Sequence, residues 1–440
     1  MQSRISTYIT AMAVFAALAV PVRLAQAQQK NYQPPKYYVF NLGAPLGGAP
    51  EAVGINNLGW ISGGANLTGN NVVNAELWIG SPLDLGTLGG PNSNVSWPNH
   101  TTKGEIVGVA ETAEPNAYGE PWSCFAFFPS AAPTGDVCLG FAWQDGVMTA
   151  LPALAGGYDS YAAGVNNKGQ VVGWAENGVH DPTCNVPGQV LQFEAVIWGP
   201  KLTEMTQLPP YPGDPDSAAT AINDLGQVVG ISGLCSNAVG GASAEHALLW
   251  ENGRPIDLGN IGGGAWNTPV SLNNHGQIVG FANTSGNENA GFSPTAFLWT
   301  QATRMQPLPL LNGDTNSIAF DVNEKGQVVG QSAGPNDVRA FLYENGRMMD
   351  LNALIQPDSS LYLTNAQGIN DSGEIAGTAL DTNTGATVAF LAVAAHGGES
   401  EADSARATGE GDSRKVVLPE SVRRQLTGFS RLAFGGIGTK

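Results

Sequence analysis

Short apolar segments alternate with glycine-containing turns along most of the chain. One phrase recurs: an aliphatic residue, Asn-x-x-Gly, then usually Gln or Glu, two apolar residues and a second Gly, as in residues 165–173. It occurs seven times, once in degenerate form at residues 100–108, and its first glycines are Gly59, Gly104, Gly169, Gly226, Gly276, Gly326 and Gly373. Because Asn can bond nearby backbone amides and Gly adopts a positive φ, each copy predicts two short strands joined by a hairpin turn.

Two further apolar phrases accompany each copy of this hairpin. One is a strand usually closed by Trp, as in Ala-Leu-Leu-Trp at residues 247–250. The other resembles Leu-Asp-Leu-Gly-Thr-Leu-Gly-Gly at residues 83–90 and predicts a fourth strand. Four short strands in a unit of about 45 residues are typical of a propeller blade and not of helical or leucine-rich repeats.

The positions of the fourth strands predict a closed ring. The last unit supplies three strands, near residues 365–370, 374–379 and 388–393, and no fourth strand follows it. An unpaired candidate, residues 36–42, precedes the first hairpin, and its pairing with the last unit would remove an open sheet edge. The sequence therefore predicts an all-β fold: a seven-bladed β-propeller over residues 36–395 whose last blade is closed by the N-terminal strand.

Both ends of the chain lie outside the repeats. Residues 1–27 contain Arg4, an apolar stretch and a small-residue cleavage site, which together predict a cleaved signal peptide. Residues 28–35 form a lead-in to the ring. Residues 396–440 read as a polar linker and a tail, which we expect to form either a short amphipathic helix or a mobile segment. A secreted or periplasmic protein is expected.

Composition narrows the range of partners. The 58 glycines and 28 prolines show no Gly-X-Y period, which favours a turn-rich β protein over collagen. Nineteen basic and 37 acidic residues give a net charge of -18, which argues against nucleic acid and anionic membranes as partners. No later apolar run has the ~18 residues that a membrane span needs. We expect an acidic monomer.

Four cysteines in an exported chain predict disulfides. Of the three possible pairings we prefer Cys124–Cys138, which would staple a long insertion, together with Cys184–Cys235, which would tie neighbouring blades. A four-cysteine zinc site is the alternative, but the chain lacks the close Cys-x-x-Cys spacing of such sites. The five histidines show no ligand spacing, so we expect no metal and no other cofactor.

The repeated phrases, together with the triplet His246-Ala247-Leu248, resemble the extracellular HAF repeat family of bacterial exported proteins. The resemblance covers roughly residues 36–395 and depends on seven coupled copies. It implies export and a propeller-like fold, and it implies no common catalytic activity. The histidine occurs only once, so seven identical His-based sites are excluded; the equivalent places hold Asn74, Glu194, Thr295 and Arg339.

The loops that vary in length share one face of the predicted ring, which we call the variable face. Variable loops on a rigid ring usually carry binding sites, although neutral insertion is the alternative. Indole rings beside carboxylates can hold a sugar by stacking and hydrogen bonding. The candidates for ligand binding are Trp122, Trp174, Trp266, Glu114, Glu120 and Glu176. Packing of these tryptophans against the sheet edges is the competing interpretation.

The sequence contains no Gly-x-Ser-x-Gly elbow, phosphate loop or dinucleotide fingerprint. We therefore predict a non-catalytic exported propeller that binds a glycan or a surface protein on its variable face. Two alternatives remain open. One is a carbohydrate-active hydrolase or lyase that uses carboxylates of the propeller funnel. The other is an architectural module of a cell-surface assembly.

Overall fold

The computed structural model confirms the all-β, seven-bladed β-propeller. It describes residues 32–44, 47–67, 69, 72–120, 123–124, 127–128, 131, 134–184, 188–235, 245–285, 293–335 and 337–395. The strands are β1 (Tyr37–Gly43), β2 (Gly47–Ile55), β3 (Ile61–Leu67), β4 (Val73–Ile79), β5 (Ser81–Asp84), β6 (Gly89–Asn94), β7 (Ile106–Pro115), β8 (Asp136–Gln144), β9 (Val147–Leu151), β10 (Gly156–Val165), β11 (Val171–His180), β12 (Leu191–Trp198), β13 (Met205–Gln207), β14 (Asp216–Ile222), β15 (Val228–Gly233), β16 (His246–Glu251), β17 (Arg254–Asp257), β18 (Thr268–Leu272), β19 (Ile278–Asn283), β20 (Pro294–Thr300), β21 (Arg304–Pro307), β22 (Asn316–Val322), β23 (Val328–Ala333), β24 (Val338–Glu344), β25 (Arg347–Asp350), β26 (Leu361–Ile369), β27 (Ile375–Asp381) and β28 (Thr387–Ala394).

Each blade is a four-stranded antiparallel sheet. Blades 1 to 6 are β2–β5, β6–β9, β10–β13, β14–β17, β18–β21 and β22–β25, and blade 7 contains β26, β27, β28 and β1. A short 3-10 helix, Leu351–Ala353, lies between blades 6 and 7. Among the described residues, no helix has the length and apolar character needed to cross a bilayer.

The N-terminal strand closes the ring, as predicted. Strand β1 pairs antiparallel with β28, placing Tyr37 opposite Ala394. Four further bonds hold β1 to the link before blade 7. Tyr37 N donates to Leu354 O at 2.9 Å, and Val39 N donates to Gln356 Oε1 at 2.9 Å. In return, Gln356 donates from its N to Tyr37 O and from its Nε2 to Val39 O, each at 3.2 Å. No covalent bond joins the two ends, so hydrogen bonds and packing alone close the ring here.

The repeated Asn closes its own turn and also bonds to the next blade. Asn273 Oδ1 accepts from His275 N at 3.0 Å and Gln277 N at 3.1 Å, and its Nδ2 donates to Asn323 O at 2.9 Å. The same inter-blade bond joins Asn166 to Asn223, Asn223 to Asn273, Asn323 to Asn370 and Asn370 to Asn56. The hairpins of blades 3 to 7 and of blade 1 are therefore linked in succession on one face, which we call the turn face.

The second glycine of each phrase is required by close backbone approach. In blade 4, a Cβ added at Gly230 would overlap the carbonyl oxygen of Ala218 on the innermost strand. The strand pairing shifts beside this point, between Ala219 and Ala221, and equivalent shifts occur in blades 1, 3, 5, 6 and 7. The second glycine of each phrase therefore marks a β-bulge, at which the backbones of the two strands approach closely.

Four of the innermost strands begin at the variable face with a further inter-blade clamp. Ser160 Oγ accepts from Gly140 N at 3.0 Å, and Ser217 Oγ accepts from Ala195 N at 3.0 Å, each from the preceding blade. Equivalent bonds reach Ser93 and Ser317. The residue before each serine is Asn or Asp. The sequence analysis missed this Asx-Ser signature.

The repeated tryptophans pack between blades, as expected. Trp198 and Trp250 are fully buried, and each Nε1 donates to a proline carbonyl of the preceding blade, Pro152 and Pro209 respectively. A separate apolar cluster fills the ring toward the variable face and includes Trp97, Phe127, Phe128, Trp174, Trp266, Phe281 and Phe320. Burial of these large rings supplies much of the hydrophobic driving force.

A polar pair crosses the ring axis. His100 Nε2 of blade 2 lies 2.8 Å from Asp321 Oδ1 of blade 6, and these blades are three positions apart around the ring. Asp321 is fully buried and also accepts from Ser271 Oγ and Ile369 N, each at 2.8 Å. One carboxylate therefore connects blades 2, 5, 6 and 7.

Both predicted disulfides are confirmed. Cys124 and Cys138 are joined across the blade 2 insertion, with Cα atoms 5.1 Å apart. Cys184 of blade 3 and Cys235 of blade 4 are joined with Cα atoms 4.7 Å apart. The first bond staples the insertion to β8, and the second ties two neighbouring blades.

Candidate functional site

Three carboxylates meet where blades 2 and 3 adjoin at the variable face. Glu120 follows β7, Asp159 lies near the start of β10, and Glu176 lies on β11. One oxygen of each residue lies within 4.8 Å of the others, and the residues are at most 2% exposed. We call them the carboxylate cluster. The structure thus brings together two predicted site residues, Glu120 and Glu176, with Asp159, which the sequence analysis missed.

Neutral donors hold the two glutamates of the cluster. Glu120 Oε1 accepts from Val190 N at 2.9 Å and Leu191 N at 2.7 Å. Glu176 Oε2 accepts from Asp159 N at 2.9 Å, and its Oε1 accepts from Gln189 Nε2 at 2.7 Å. These bonds orient both carboxylates without neutralising their charge.

Asp159 joins the blade 2 insertion to blade 3. Its Oδ1 accepts from Cys138 N at 2.8 Å, and its Oδ2 accepts from Ser123 Oγ at 2.5 Å and Asn116 Nδ2 at 2.9 Å. The disulfide of Cys138 to Cys124, the neighbour of Ser123, fixes the same part of the insertion. The cluster is therefore built on a stapled loop and a rigid strand.

Mutual repulsion and burial favour protonation within the cluster. Burial raises the pKa of Asp159 to about 7, although hydrogen bonds from Ser123 and Cys138 N act in the opposite direction. Burial, followed by the charges of Asp159 and Glu120, raises the pKa of Glu176 well above its ordinary value. Among the described residues, no basic side chain forms an ion pair with these three acids.

Comparison with blade 2 shows how the cluster arises. Glu111 occupies the place of Glu176 there, and its Oε2 accepts from both the backbone N and the Nδ2 of Asn92. Blade 3 carries Asp159 where blade 2 carries Asn92, so a carboxylate replaces an amide donor. The residue before the repeated serine is the sequence signal that could have identified Asp159.

A second carboxyl pair lies at the next junction, between blades 3 and 4. Burial, followed by the facing Asp181 carboxylate, raises the pKa of Asp216 to about 9, so Asp216 is protonated at neutral pH. Its Oδ1 accepts from Phe193 N at 2.9 Å, as Asp159 accepts from Cys138.

Three rings, of which Tyr118 and His180 are exposed and Tyr158 is half-buried, lie within four residues of the clustered carboxylates along the chain. The ring centroid of Tyr118 is 5.8 Å from that of Tyr158 and 5.1 Å from that of His180, both edge to face, and His180 Nε2 lies 3.0 Å from Tyr118 Oη. Tyr118 is 42% exposed. Its backbone N donates to Asn116 Oδ1, and Tyr158 N donates to Glu176 Oε2. We call Tyr118, Tyr158 and His180 the aromatic patch.

The predicted tryptophans occupy other positions. Trp174 and Trp266 are 4% exposed and belong to the apolar cluster inside the ring, where the Trp174 ring stacks on Tyr161 at 6.0 Å. Trp122 lies outside the described residues. Glu114 is exposed on β7, near the aromatic patch in sequence. The described tryptophans thus line the interior, whereas the exposed rings are tyrosines and a histidine.

The histidine of the repeat triplet has a structural contact. His246 Nδ1 lies 2.8 Å from Asp214 Oδ2, and the ring stacks on Tyr211 with centroids 4.0 Å apart. Arg339 holds the equivalent place in blade 6 and donates to Asp314 Oδ1 at 2.7 Å. In both blades a basic side chain on the third strand ties down the acidic link before the innermost strand.

Comparisons with known proteins find only distant similarity to solved structures. Neither a protein-family model nor a curated protein matches the chain. Among solved structures, an oligogalacturonate lyase in complex with manganese is 12% identical, with a TM-score of 0.44 and coverage of 83% of this chain and 97% of that one. A virginiamycin B lyase from Staphylococcus aureus is 11% identical (TM-score 0.43, coverage 82% and 100%). A gluconolactonase from Xanthomonas campestris is 10% identical (TM-score 0.33, coverage 83% and 96%). At these identities no activity is transferred to this chain.

Proposed function

We propose that this protein is an exported propeller that binds a glycan on its variable face, where blades 2 and 3 meet. The observation that carries the proposal is the aromatic patch, in which exposed Tyr118 follows β7, exposed His180 ends β11 and half-buried Tyr158 lies on β10. Apolar sugar faces stack on such rings, and a few polar groups around them orient the hydroxyls. Exposed Glu114 supplies a nearby acceptor.

Export is part of the proposal. The two disulfides fit an oxidising compartment outside the cytosol. The proposed signal peptide over residues 1–27 and the resemblance to exported HAF repeat proteins support the same location.

The positions of the acids favour binding over glycoside cleavage. A glycosidase needs two carboxyl groups on either side of the scissile bond, about 5 to 9.5 Å apart and open to substrate. Here the three clustered carboxylates lie within 4.8 Å and are buried. The funnel itself is crossed by the bond between His100 and Asp321.

A glycan array with the full mature chain tests the proposal. We expect selective sugar binding that falls about tenfold in Tyr118→Ala, since a stacked ring contributes roughly 1.4 kcal/mol. Tyr118→Phe keeps the ring and should retain most of the binding. Leu225→Ala is the matched control, because Leu225 is 65% exposed on the opposite face.

Three outcomes would change the conclusion. Sugar binding that survives both Tyr118→Ala and His180→Ala would place the site elsewhere. Turnover of an arrayed polysaccharide would favour the hydrolase or lyase alternative. Capture of a cell-surface protein through the aromatic patch, without sugar binding, would keep the site and replace the ligand.

A further inference from the structure

The carboxylate cluster has an unbalanced charge. Glu120, Asp159 and Glu176 are buried within 4.8 Å of one another, and their described hydrogen-bond partners are amides and a hydroxyl. Burial of several like charges is unfavourable unless protons or a cation neutralise them. The cluster therefore has to hold one or the other.

Hydrogen bonding leaves one coordination position on each carboxylate. A carboxylate oxygen has two lone-pair sites. Glu120 Oε1, Asp159 Oδ2 and Glu176 Oε2 each accept two hydrogen bonds from the described residues. Glu120 Oε2, Asp159 Oδ1 and Glu176 Oε1 each accept only one. Three oxygens from three carboxylates thus keep capacity for a cation.

A fourth oxygen ligand is available from Gln189. This side chain is fully buried, and its Nε2 donates to Glu176 Oε1 and to Leu191 O, so the carboxamide lies against the cluster. Its Oε1 has no hydrogen-bond partner. A buried amide oxygen without a donor is unfavourable, and amide oxygens, like carboxylates, are ligands of hard cations. The unpartnered amide oxygen of Gln189 therefore points to a cation independently of the three carboxylates.

The neighbouring junction provides an internal comparison. The junction between blades 3 and 4 has two facing carboxyl groups, Asp181 and Asp216. The blade 2–3 junction adds a third carboxylate and the free amide oxygen, and its ligands come from the stapled insertion, β10, β11 and the loop before β12. Converging oxygens from four segments are what a calcium site requires.

We propose that Glu120, Asp159, Glu176 and the Gln189 amide oxygen bind one divalent cation, with Ca²⁺ the best match to an all-oxygen set. The cation would tie the insertion of blade 2 to blade 3 and would fix the backbone that carries Tyr118 and Tyr158. The site does not depend on glycan binding by the aromatic patch.

Calcium titration of the chelator-treated full chain tests this site. Isothermal titration should give one ion per chain with a Kd of about 1 mM or tighter, the range of extracellular calcium modules. Calcium should raise the melting temperature, and terbium should bind competitively with luminescence sensitised by nearby rings. Glu120→Gln and Glu176→Gln keep the side-chain shape and should each weaken calcium at least tenfold.

Asp216→Asn is the matched control, because it changes the neighbouring carboxyl pair and should leave calcium affinity unchanged. Circular dichroism verifies that each variant is folded. If Glu176→Gln does not fold, Glu120→Gln alone tests the site. No binding at several millimolar calcium, or equal affinity in wild type and Glu120→Gln, would overturn the proposal. Calcium binding without any sugar binding would retain this site and reject the proposed function, so the two failures are distinguishable.

Discussion

Replacement of Asp321 by Asn removes one charge from the axis of the propeller and barely changes the side-chain volume. The carboxylate receives hydrogen bonds on both oxygens: His100, Ser271 and Val322 N donate to Oδ1, and Ile369 N donates to Oδ2. An amide has only one oxygen, so its NH₂ group would face a donor in either orientation. The variant therefore leaves at least one buried donor unsatisfied.

The expected cost follows from these bonds. An unsatisfied buried donor costs about 1–3 kcal/mol, and a lost bond to a charged group costs about 1.5–3 kcal/mol. Their sum is about 2.5–6 kcal/mol. This range brackets the cost of breaking a buried charge pair, about 3–5 kcal/mol, which we take as the expected loss. With an unfolding entropy of about 2.1 cal/mol/K per residue over roughly 360 residues, the Tm should fall by about 4–7 °C.

The effect should depend on pH. Burial alone would lower the pKa of His100, but the adjacent Asp321 carboxylate outweighs it and raises the pKa, with smaller contributions from Asp371 and Glu324. A raised folded-state pKa means that the stabilisation is complete below the ordinary value of about 6.5 and is lost as pH rises through the folded-state value. One third of the His100 side chain is exposed, so solvent screening reduces the contribution of its charge to the free energy of unfolding.

Thermal unfolding of wild type and Asp321→Asn at about pH 6 and about pH 9 measures both effects. The difference in Tm should be larger at the lower pH. Asp257→Asn is the matched control, because among the described residues this exposed carboxylate accepts only from Gly259 N, a bond that Asn can keep, and the variant should change the Tm by less than about 1 °C. An unchanged Tm in Asp321→Asn, or an equal loss at both pH values, would refute this account of the axis.

Three further perturbations probe the ring. Gly230→Ala should prevent folding or cost more than about 3 kcal/mol in urea unfolding, because its Cβ overlaps the Ala218 carbonyl; a wild-type midpoint would contradict the bulge. Asn273→Ala removes three turn bonds and one inter-blade bond, and we expect a loss of about 2–3 kcal/mol in the same assay. Replacing Cys184 and Cys235 by Ser opens a 51-residue separation and should cost about 4 kcal/mol, so equal stability with and without reductant would be inconsistent with this crosslink.

The propeller could be predicted because each element of a blade recurs several times in the sequence. The turn, the bulge glycine and the buried tryptophan recur at matching positions of the repeats. The fourth strand of the last repeat lies at the start of the chain, so pairing of β1 with blade 7 removes the open edge of that sheet. The carboxylate cluster was predictable only in part. Glu120 and Glu176 were identified as candidates, but their contact with Asp159 depends on the path of the blade 2 insertion, which no repeat describes.

The burial of Trp174 could have been predicted by comparing the repeats. The residues at the equivalent place are Val109, Ile231 and Phe281, so the position faces the interior in several blades. The axial pair shows the opposite case. His100 stands where other copies have aliphatic residues, but its partner Asp321 is in a distant blade, and only the closed ring brings the two together.

Closure by β1 has a consequence for biosynthesis. The ribosome releases Tyr37–Gly43 first, whereas its partner Thr387–Ala394 emerges only after more than three hundred further residues. Until then β1 has no partner strand, and the blades already synthesised have open sheet edges exposed to solvent. Completion of the circle is thus a late, long-range event, so prematurely terminated chains should depend on chaperones or be degraded.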